Sequence, residues 1–264
     1  DMSNSSTRHP SPLAIMHFMP SMVATFRNAI SAETHQHHAA QITLDFEGEF
    51  ELHCQEQVQH FKCVLIPPNL SHCVRSNNHW QVTILLDTNH SLTKRLLKVF
   101  MVKNSPVEIP EEYYRDLLLL GISARNDQLS ISQLSGQLRQ VFEKWTEDVG
   151  IDEQDVRIES LLNSINANTS LEEVDRIVAN VPLSKSRLSH LFVEQAGITL
   201  RRYILWQRLR LAIAIIVEGQ SITDAAYDAS FSDLPHLSRT FKSMFGINIS
   251  MLFQIKKYIH IHVE

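Results

Sequence analysis

The sequence predicts an α+β chain of two domains. An N-terminal antiparallel β-barrel or jelly roll with a helical connector comes first, and an all-α domain follows in which two helix-turn-helix units are joined by a long helix. Three observations carry this prediction. Apolar residues alternate with period two between residues 22 and 87, helical spacing replaces that alternation from residue 89 onward, and one short motif occurs twice in the last third. A chain of 264 residues with a hydrophobic fraction of 44% can build two cores. The expected divisions are 1–88 for a tail and the barrel, 89–150 for the connector, and 151–264 for the helical domain.

Asp1-Met2 and the Ser/Asn/Thr-rich start read as a cloning remnant and a mobile tail rather than a signal peptide. Short strands are expected at Met22–Phe26, Val58–Phe61, Cys63–Ile66, His72–Arg75 and Gln81–Leu86. Ile42, Leu44 and Phe46 alternate, Glu47-Gly48 can turn the chain, and Phe50, Leu52 and Cys54 alternate again, which predicts a hairpin. Many short strands without intervening helices predict a small barrel or jelly roll. Cys54, Cys63 and Cys73 have no metal-type spacing, and their odd number predicts reduced, buried thiols in a cytoplasmic protein. Apolar runs such as Leu117–Leu120 and Leu211–Val217 are too short to span a bilayer.

The connector shows three amphipathic stretches: Leu92 to Phe100, Glu111 to Leu120 after Pro110, and Ile131 to Val149. Such helices can pack on the barrel, form a dimer seam, or do both. A further helix over Glu153–Ile165 opens the last domain.

The repeat follows. Leu188-Ser189-His190-Leu191-Phe192 and Leu237-Ser238-Arg239-Thr240-Phe241 each end five residues before a glycine, Gly197 and Gly246. Each copy has a first helix, a short break, a Ser or Asp that caps the next helix, and a second helix with one apolar stripe. In the first copy Leu188, Leu191 and Phe192 point inward, leaving Ser186, Ser189 and His190 outward. In the second, Leu237, Phe241 and Met244 point inward, while Pro235, Ser238, Arg239 and Lys242 share the outer face, with Leu234 at the helix start. Two helices joined by a turn, the second with a polar outer face, form the arrangement that sets a recognition helix in the DNA major groove. Lys185 and Arg187 lie off the first face and suit phosphate contact. Between the copies, Thr199 to about Glu218 lacks Pro and Gly and predicts a helix of about 30 Å. That length approaches the ~34 Å between successive major-groove faces.

The net charge of −5 hides a local excess. From Leu183 to Lys257 ten basic residues stand against five acidic ones.

At Leu183-Ser184, Leu188-Ser189, Leu191-Phe192, Gly197, Tyr203, Arg208-Leu209, Ala212, Ser221-Ile222, Phe231-Ser232-Asp233 and Ser238-Arg239-Thr240-Phe241-Lys242 the chain resembles the AraC/XylS family of transcription regulators. The family's glycine before the Phe of the second turn is Ser230 here, and its later proline is Ile249. The region around His35-x-His37, Gln41-Ile42, Gly48, Pro67-Pro68-Asn69 and His72 resembles the cupin-like sensor domain of many such proteins. These resemblances imply double-stranded promoter or operator DNA and RNA polymerase as partners. They also imply a small-molecule effector in the first domain and a possible homodimer, with no membrane partner. His35, His37, Gln41 and His72 are the candidate effector-pocket residues. In metal-binding cupins two histidines, a carboxylate and a later histidine meet inside the barrel. Here neutral Gln41 takes the carboxylate's place, so no resident metal or other cofactor is expected after purification, although three neutral imidazoles can still hold a divalent ion. A metal-dependent cupin enzyme with a helical interaction tail is the alternative, and a ligand-free architectural DNA-binding factor is a third.

Overall fold

Period-two alternation does form strands in the first third, and it divides them between two sheets. The computed structural model describes residues 14–19, 21–28, 33–126, 128–150, 155–165, 169–250 and 259–263; the expected N-terminal tail lies outside them. The strands that precede the first helix are β1 (Ala14–Met19), β2 (Met22–Asn28), β3 (Ala40–Asp45), β4 (Phe50–Cys54), β5 (Gln57–Phe61), β6 (Cys63–Ile66), β7 (His72–Arg75) and β8 (Trp80–Leu86). Then come α1 (Ser91–Val99), β9 (Val107–Glu108), α2 (Glu111–Arg125) and α3 (Ile131–Trp145). The last part holds α4 (Val156–Ser164), α5 (Leu171–Ala179), α6 (Lys185–Ala196), α7 (Leu200–Val217), α8 (Ile222–Asp228), α9 (Leu234–Phe245) and a closing strand, β10 (Ile259–Val263).

One sheet runs β10-β1-β2-β8-β3-β6-β9 and the other β5-β4-β7. The expected hairpin across Glu47-Gly48 does not form: β3 pairs with β6 and β8, whereas β4 pairs with β5 and β7. The cause is local. Asp45 Oδ1 accepts the amides of Glu47 at 2.9 Å and Gly48 at 2.8 Å, which turns the chain out of the first sheet and into the second. The hairpin comes one strand later, between β4 and β5, where Gln55 (φ 49°) and Glu56 (φ 62°) both take the left-handed region that a two-residue type I′ turn needs.

Alternation along β3 has two destinations. Ile42 and Leu44 face a core that the connector helices close with Leu96, Leu117, Leu138 and Phe142. Gln41, Thr43 and Asp45 are also buried, and they point the other way, into the barrel. Its wall there includes Phe50, Leu52, Val64, Ile66 and Val74. The connector is thus packed within its own domain, leaving Leu119 58% exposed on the outside of α2.

In the helical part each helix from α5 to α9 begins at a side-chain cap. Ser170, Ser184, Thr199, Ser221 and Asp233 accept the amides of Glu173, Arg187, Arg202, Asp224 and His236. Both recognition helices end on a left-handed glycine, Gly197 (φ 72°) and Gly246 (φ 69°). Two cores result. Ile158, Leu161, Leu188 and Phe192 pack with Tyr203 and Ile204 at one end of α7. Leu209, Ala212, Ile213 and Ile216 pack with Ala225, Leu237 and Phe241 at the other.

Among the described residues the all-α character expected of 151–264 holds to residue 250, but β10 returns to the first sheet and pairs in parallel with β1, Ala14 opposite Ile259. A strand at a sheet edge presents unpaired amides and carbonyls, and β10 covers them. β1 and β9 were likewise not expected from the pattern.

Ser230, where a glycine is common in the resembling pattern, has φ 59°. A residue with a Cβ costs about 1–2 kcal/mol in that region. Ser230→Gly should therefore raise the urea midpoint of unfolding, an increase of about 1 kcal/mol in stability; an unchanged or lower midpoint would show that the turn carries no strain.

Candidate nucleic-acid interface and effector site

The two recognition helices present the faces that their spacing predicts. On α6, Lys185, Ser186, Arg187, Ser189 and His190 are all exposed above buried Leu188, Leu191 and Phe192. On α9, Leu234, Pro235 and Arg239 are exposed and Ser238 and Lys242 half-buried, above buried Leu237 and Phe241. A continuous 18-residue helix, α7, joins them. An open groove of about 1070 Å³ lies between the units, lined in part by Arg201, Arg208 and Tyr227. Tyr227 is 84% exposed. Neither Arg201 nor Tyr227 stood out in the sequence, because neither lies on the outer face of a recognition helix.

The second reader is not free of the N-terminal domain. Lys242 Nζ lies 2.8 Å from Glu33 Oε2, and the Glu33 amide donates to the Gly246 carbonyl at 3.2 Å. Gln36, His37 and His38 face Arg239, Ser243 and Met244 across a small cleft that Arg202 also lines. Along α7 the contacts continue. Arg202 donates to Asn69 Oδ1 at 3.0 Å, His38 meets the Trp206 ring edge to face at 5.2 Å, and Arg210 donates to the Met19 carbonyl at 2.9 Å. At the first reader, Thr88 Oγ1 donates to the Ala196 carbonyl at 2.9 Å. Glu33, Asn69 and Trp206 were invisible as site residues because each acts only through a partner far away in the chain.

The expected pocket histidines do converge. His35 and His72 exchange backbone hydrogen bonds, 3.0 Å each way, which brings the loop before β3 against the start of β7. One ring nitrogen each of His35, His37 and His72 lies within 4.8 Å of the others. Each ring also has its Nδ1 on a carbonyl: His35 on Glu33 at 2.8 Å, His37 on Ala39 at 2.9 Å and His72 on Leu70 at 2.8 Å. Donation from Nδ1 leaves the lone pair of a neutral ring on Nε2. Gln41 Oε1 lies 2.9 Å from His37 Nε2 and 3.2 Å from His72 Nε2, and its amide nitrogen donates to Thr43 Oγ1 at 2.9 Å. His38 turns instead toward Trp206 of α7.

Burial keeps the His37 and His72 rings neutral. Desolvation, followed by neighbouring His35, lowers His37 to about 4, while desolvation followed by His37 and His35 lowers His72 to about 3. Imidazoles held this way, with Nδ1 on a carbonyl and Nε2 inward, are the form in which histidine ligates a metal. The residues therefore fit a divalent ion, with His35, His37, His72 and the Gln41 carbonyl oxygen as its ligands. They fit equally a polar effector group.

Both folded values lie below the 6.5 of a free imidazole, so the unfolded chain takes up protons that the folded chain refuses. Stability should be intact above pH 6.5 and fall as the pH drops through 6.5 toward 4. Urea titrations of the metal-free protein at pH 7.5, 6 and 5 should show this decline, and it should be shallower in His72→Gln; a flat profile would mean that the rings are not buried neutral.

Residues 177–254 match the model of a helix-turn-helix domain. The transcriptional activator RhrA of Rhizobium meliloti is 35% identical over 101 residues, which are 37% of this chain and 30% of that protein. The uncharacterized HTH-type regulator YidL of Escherichia coli is 33% identical over 97 residues, 36% of this chain and 33% of that one. The chain thus matches about a third of the length of these curated relatives. The fold as a whole resembles ToxT from Vibrio cholerae: an apo structure gives a TM-score of 0.57 at 16% identity, covering 90% of this chain and 99% of that one. A ToxT structure with a bound unsaturated fatty acid gives 0.54 at 18% identity, covering 90% and 96%. Residues 177–254 of this chain are accordingly a match to a helix-turn-helix domain, and the chain as a whole is similar in fold to ToxT.

Proposed function

We propose that this protein is a sequence-specific transcription regulator of double-stranded promoter or operator DNA, controlled by a small effector bound in its N-terminal barrel. The observation that carries the reading is the pair of capped recognition helices held at the two ends of one unbroken helix. Eighteen residues at about 1.5 Å each give α7 a length of about 27 Å, within reach of adjacent major grooves on one side of the duplex. On α6, Ser186, Ser189 and His190 are the base readers, and Lys185 and Arg187 hold phosphates. On α9, Leu234, Pro235, Ser238, Arg239 and Lys242 face the second groove.

The buried polar row of the barrel, with His35, His37, Gln41 and His72 at its mouth, is the effector's place. The fatty acid held by one ToxT structure supports an effector in a chain of this fold. Effector control needs two arrangements that the ligand binds unequally. The Glu33–Lys242 contact distinguishes an arrangement in which the second reader is held from one in which it is free. RNA polymerase is the partner through which such a regulator acts, and its assembly is a homodimer through the connector, a reading to which exposed Leu119 on the outer side of α2 lends support. A cytoplasmic location accords with these partners, and no helix among the described residues is long and apolar enough to cross a membrane.

Binding to labelled promoter DNA, followed by anisotropy over a range of salt, tests the reading. A good bidentate Arg–guanine contact contributes about 1–3 kcal/mol, so Arg239→Ala should weaken operator binding at least several-fold, whereas unchanged affinity would remove Arg239 from the interface. Replacing Lys185 and Arg187 together with Ala should lower affinity for all sequences alike and flatten the salt dependence; a loss confined to one base pair would contradict that. Inserting about 5 base pairs, half a helical turn, between the two contacted segments should leave only a weak footprint over one of them. Equal binding to both operators would mean that α7 does not act as a strut.

A further inference from the structure

We infer that the groove between the two helix-turn-helix units is a binding site for a small amphipathic carboxylate, anchored on Arg208 and partnered by Tyr227. The site lies wholly in the helical domain. It uses neither the barrel nor its histidines, and it stands whether or not the barrel holds an effector.

The anchor is Arg208 of α7. Its Nη1 donates to the Ser230 carbonyl at 3.2 Å, in the turn of the second unit. Its Nε is shut from water and has no hydrogen-bond partner among the described residues. Burial holds the guanidinium below the usual arginine value, and no carboxylate among the described residues offsets that loss. A buried donor left unmade is costly, the more so on a charged group. The Nε edge of a guanidinium is one that a carboxylate meets with two parallel hydrogen bonds. Such an anion satisfies the orphaned nitrogen and restores the charge balance at once.

The rest of the groove suits an apolar body. Val174 of α5, Ile204 and Leu205 of α7 and Phe231 of the second turn all line it. Val174, Ile204 and Phe231 belong to the packed cores, none more than 7% exposed, so they form a fixed floor. The groove holds about 1070 Å³, and small-molecule sites take about 300–1,000 Å³. Tyr227 also lines it, a large ring 84% exposed that an aromatic ligand can cover.

Charge narrows the choice of occupant. Asp175 and Asp228 line the groove as well, both exposed, and set against Arg201 and Arg208 they leave the lining without net charge. A polyanion such as the DNA backbone needs a basic surface and an apolar floor offers it nothing. A single negative charge fits, at Arg208, the half-buried member of the two cations. None of the residues assigned to base or phosphate contact on α6 and α9 lines the groove, so the ligand and DNA do not contend for the same side chains.

The test uses the full chain and benzophenone-4-carboxylate, an aromatic carboxylate that labels its site on irradiation, with uncharged benzophenone as control. Equilibrium dialysis should show saturable binding of the acid. Peptide mapping after irradiation should place the label between residues 200 and 208 or between 227 and 236. Arg208→Gln should weaken the acid about tenfold or more, the effect of one hydrogen bond to a charged group, and leave benzophenone unchanged. Arg208→Lys keeps the charge without the Nε edge and should fall between. Tyr227→Ala, at an exposed position, should weaken both compounds several-fold. Binding that does not saturate, label confined to residues 14–108, or an acid that binds Arg208→Gln as tightly as the wild type would each overturn the site. Should Arg208→Gln lose its helical circular dichroism, Tyr227→Ala decides, and unchanged binding there overturns the proposal.

Discussion

The structure depends on α7 being buried on nearly every side. Tyr203 and Ile204 fill the first helical core, and Leu209, Ala212, Ile213 and Ile216 fill the second. Trp206 meets His38, and Val23, Ala39 and Leu85 of the N-terminal domain join the second core. Beyond exposed Arg201 and Arg202 at its start, the helix has no fully exposed residue and has to find a partner in nearly every direction. One element therefore fixes the separation of the two readers and also docks them against the barrel. The first recognition helix touches the N-terminal domain through Thr88, whereas the second shares a core with it, so α9 is the more closely joined to the barrel.

The contacts across that boundary differ in strength. The apolar ones, Val23, Ala39 and Leu85 against the α7–α9 core, are non-directional and tolerate small shifts. Lys242–Glu33 is an exposed pair, its side chains 41% and 71% accessible, and such pairs contribute about 0–1 kcal/mol. A restraint this weak can be released by a modest difference in ligand affinity between two arrangements, since coupling energies are typically about 1–3 kcal/mol. The barrel is thus joined to α7 by apolar packing and to α9 by a weak exposed ion pair, and both contacts adjoin the segment that carries His35 and His37.

Much of this was legible from residue order, and the boundary of legibility is physical. Caps such as Ser184 and Asp233, the left-handed glycines 197 and 246, the inward stripe of Leu188, Leu191 and Phe192, and the unbroken spacing of α7 all arise from residues within four positions of each other. So does the strain at Ser230. The sequence by itself therefore determined the two helix-turn-helix units, their outward faces, and the strand positions from β2 to β8. Gathering of His35, His37, Gln41 and His72 was legible through spacing and resemblance, though not the inward turn of each Nε2. Tertiary structure alone decided which strands pair. Outside the β1–β2 and β4–β5 hairpins strand partners lie tens of residues or more apart, and alternation has the same period in a hairpin as in two facing sheets. Hence Asp45 and its Asx turn, not the pattern, sent β4 to the second sheet, and only packing could bring β10 back to β1. Likewise Glu33 reaches Lys242 because α7 is docked on the barrel, a contact between residues whose separation in the chain leaves no periodic trace.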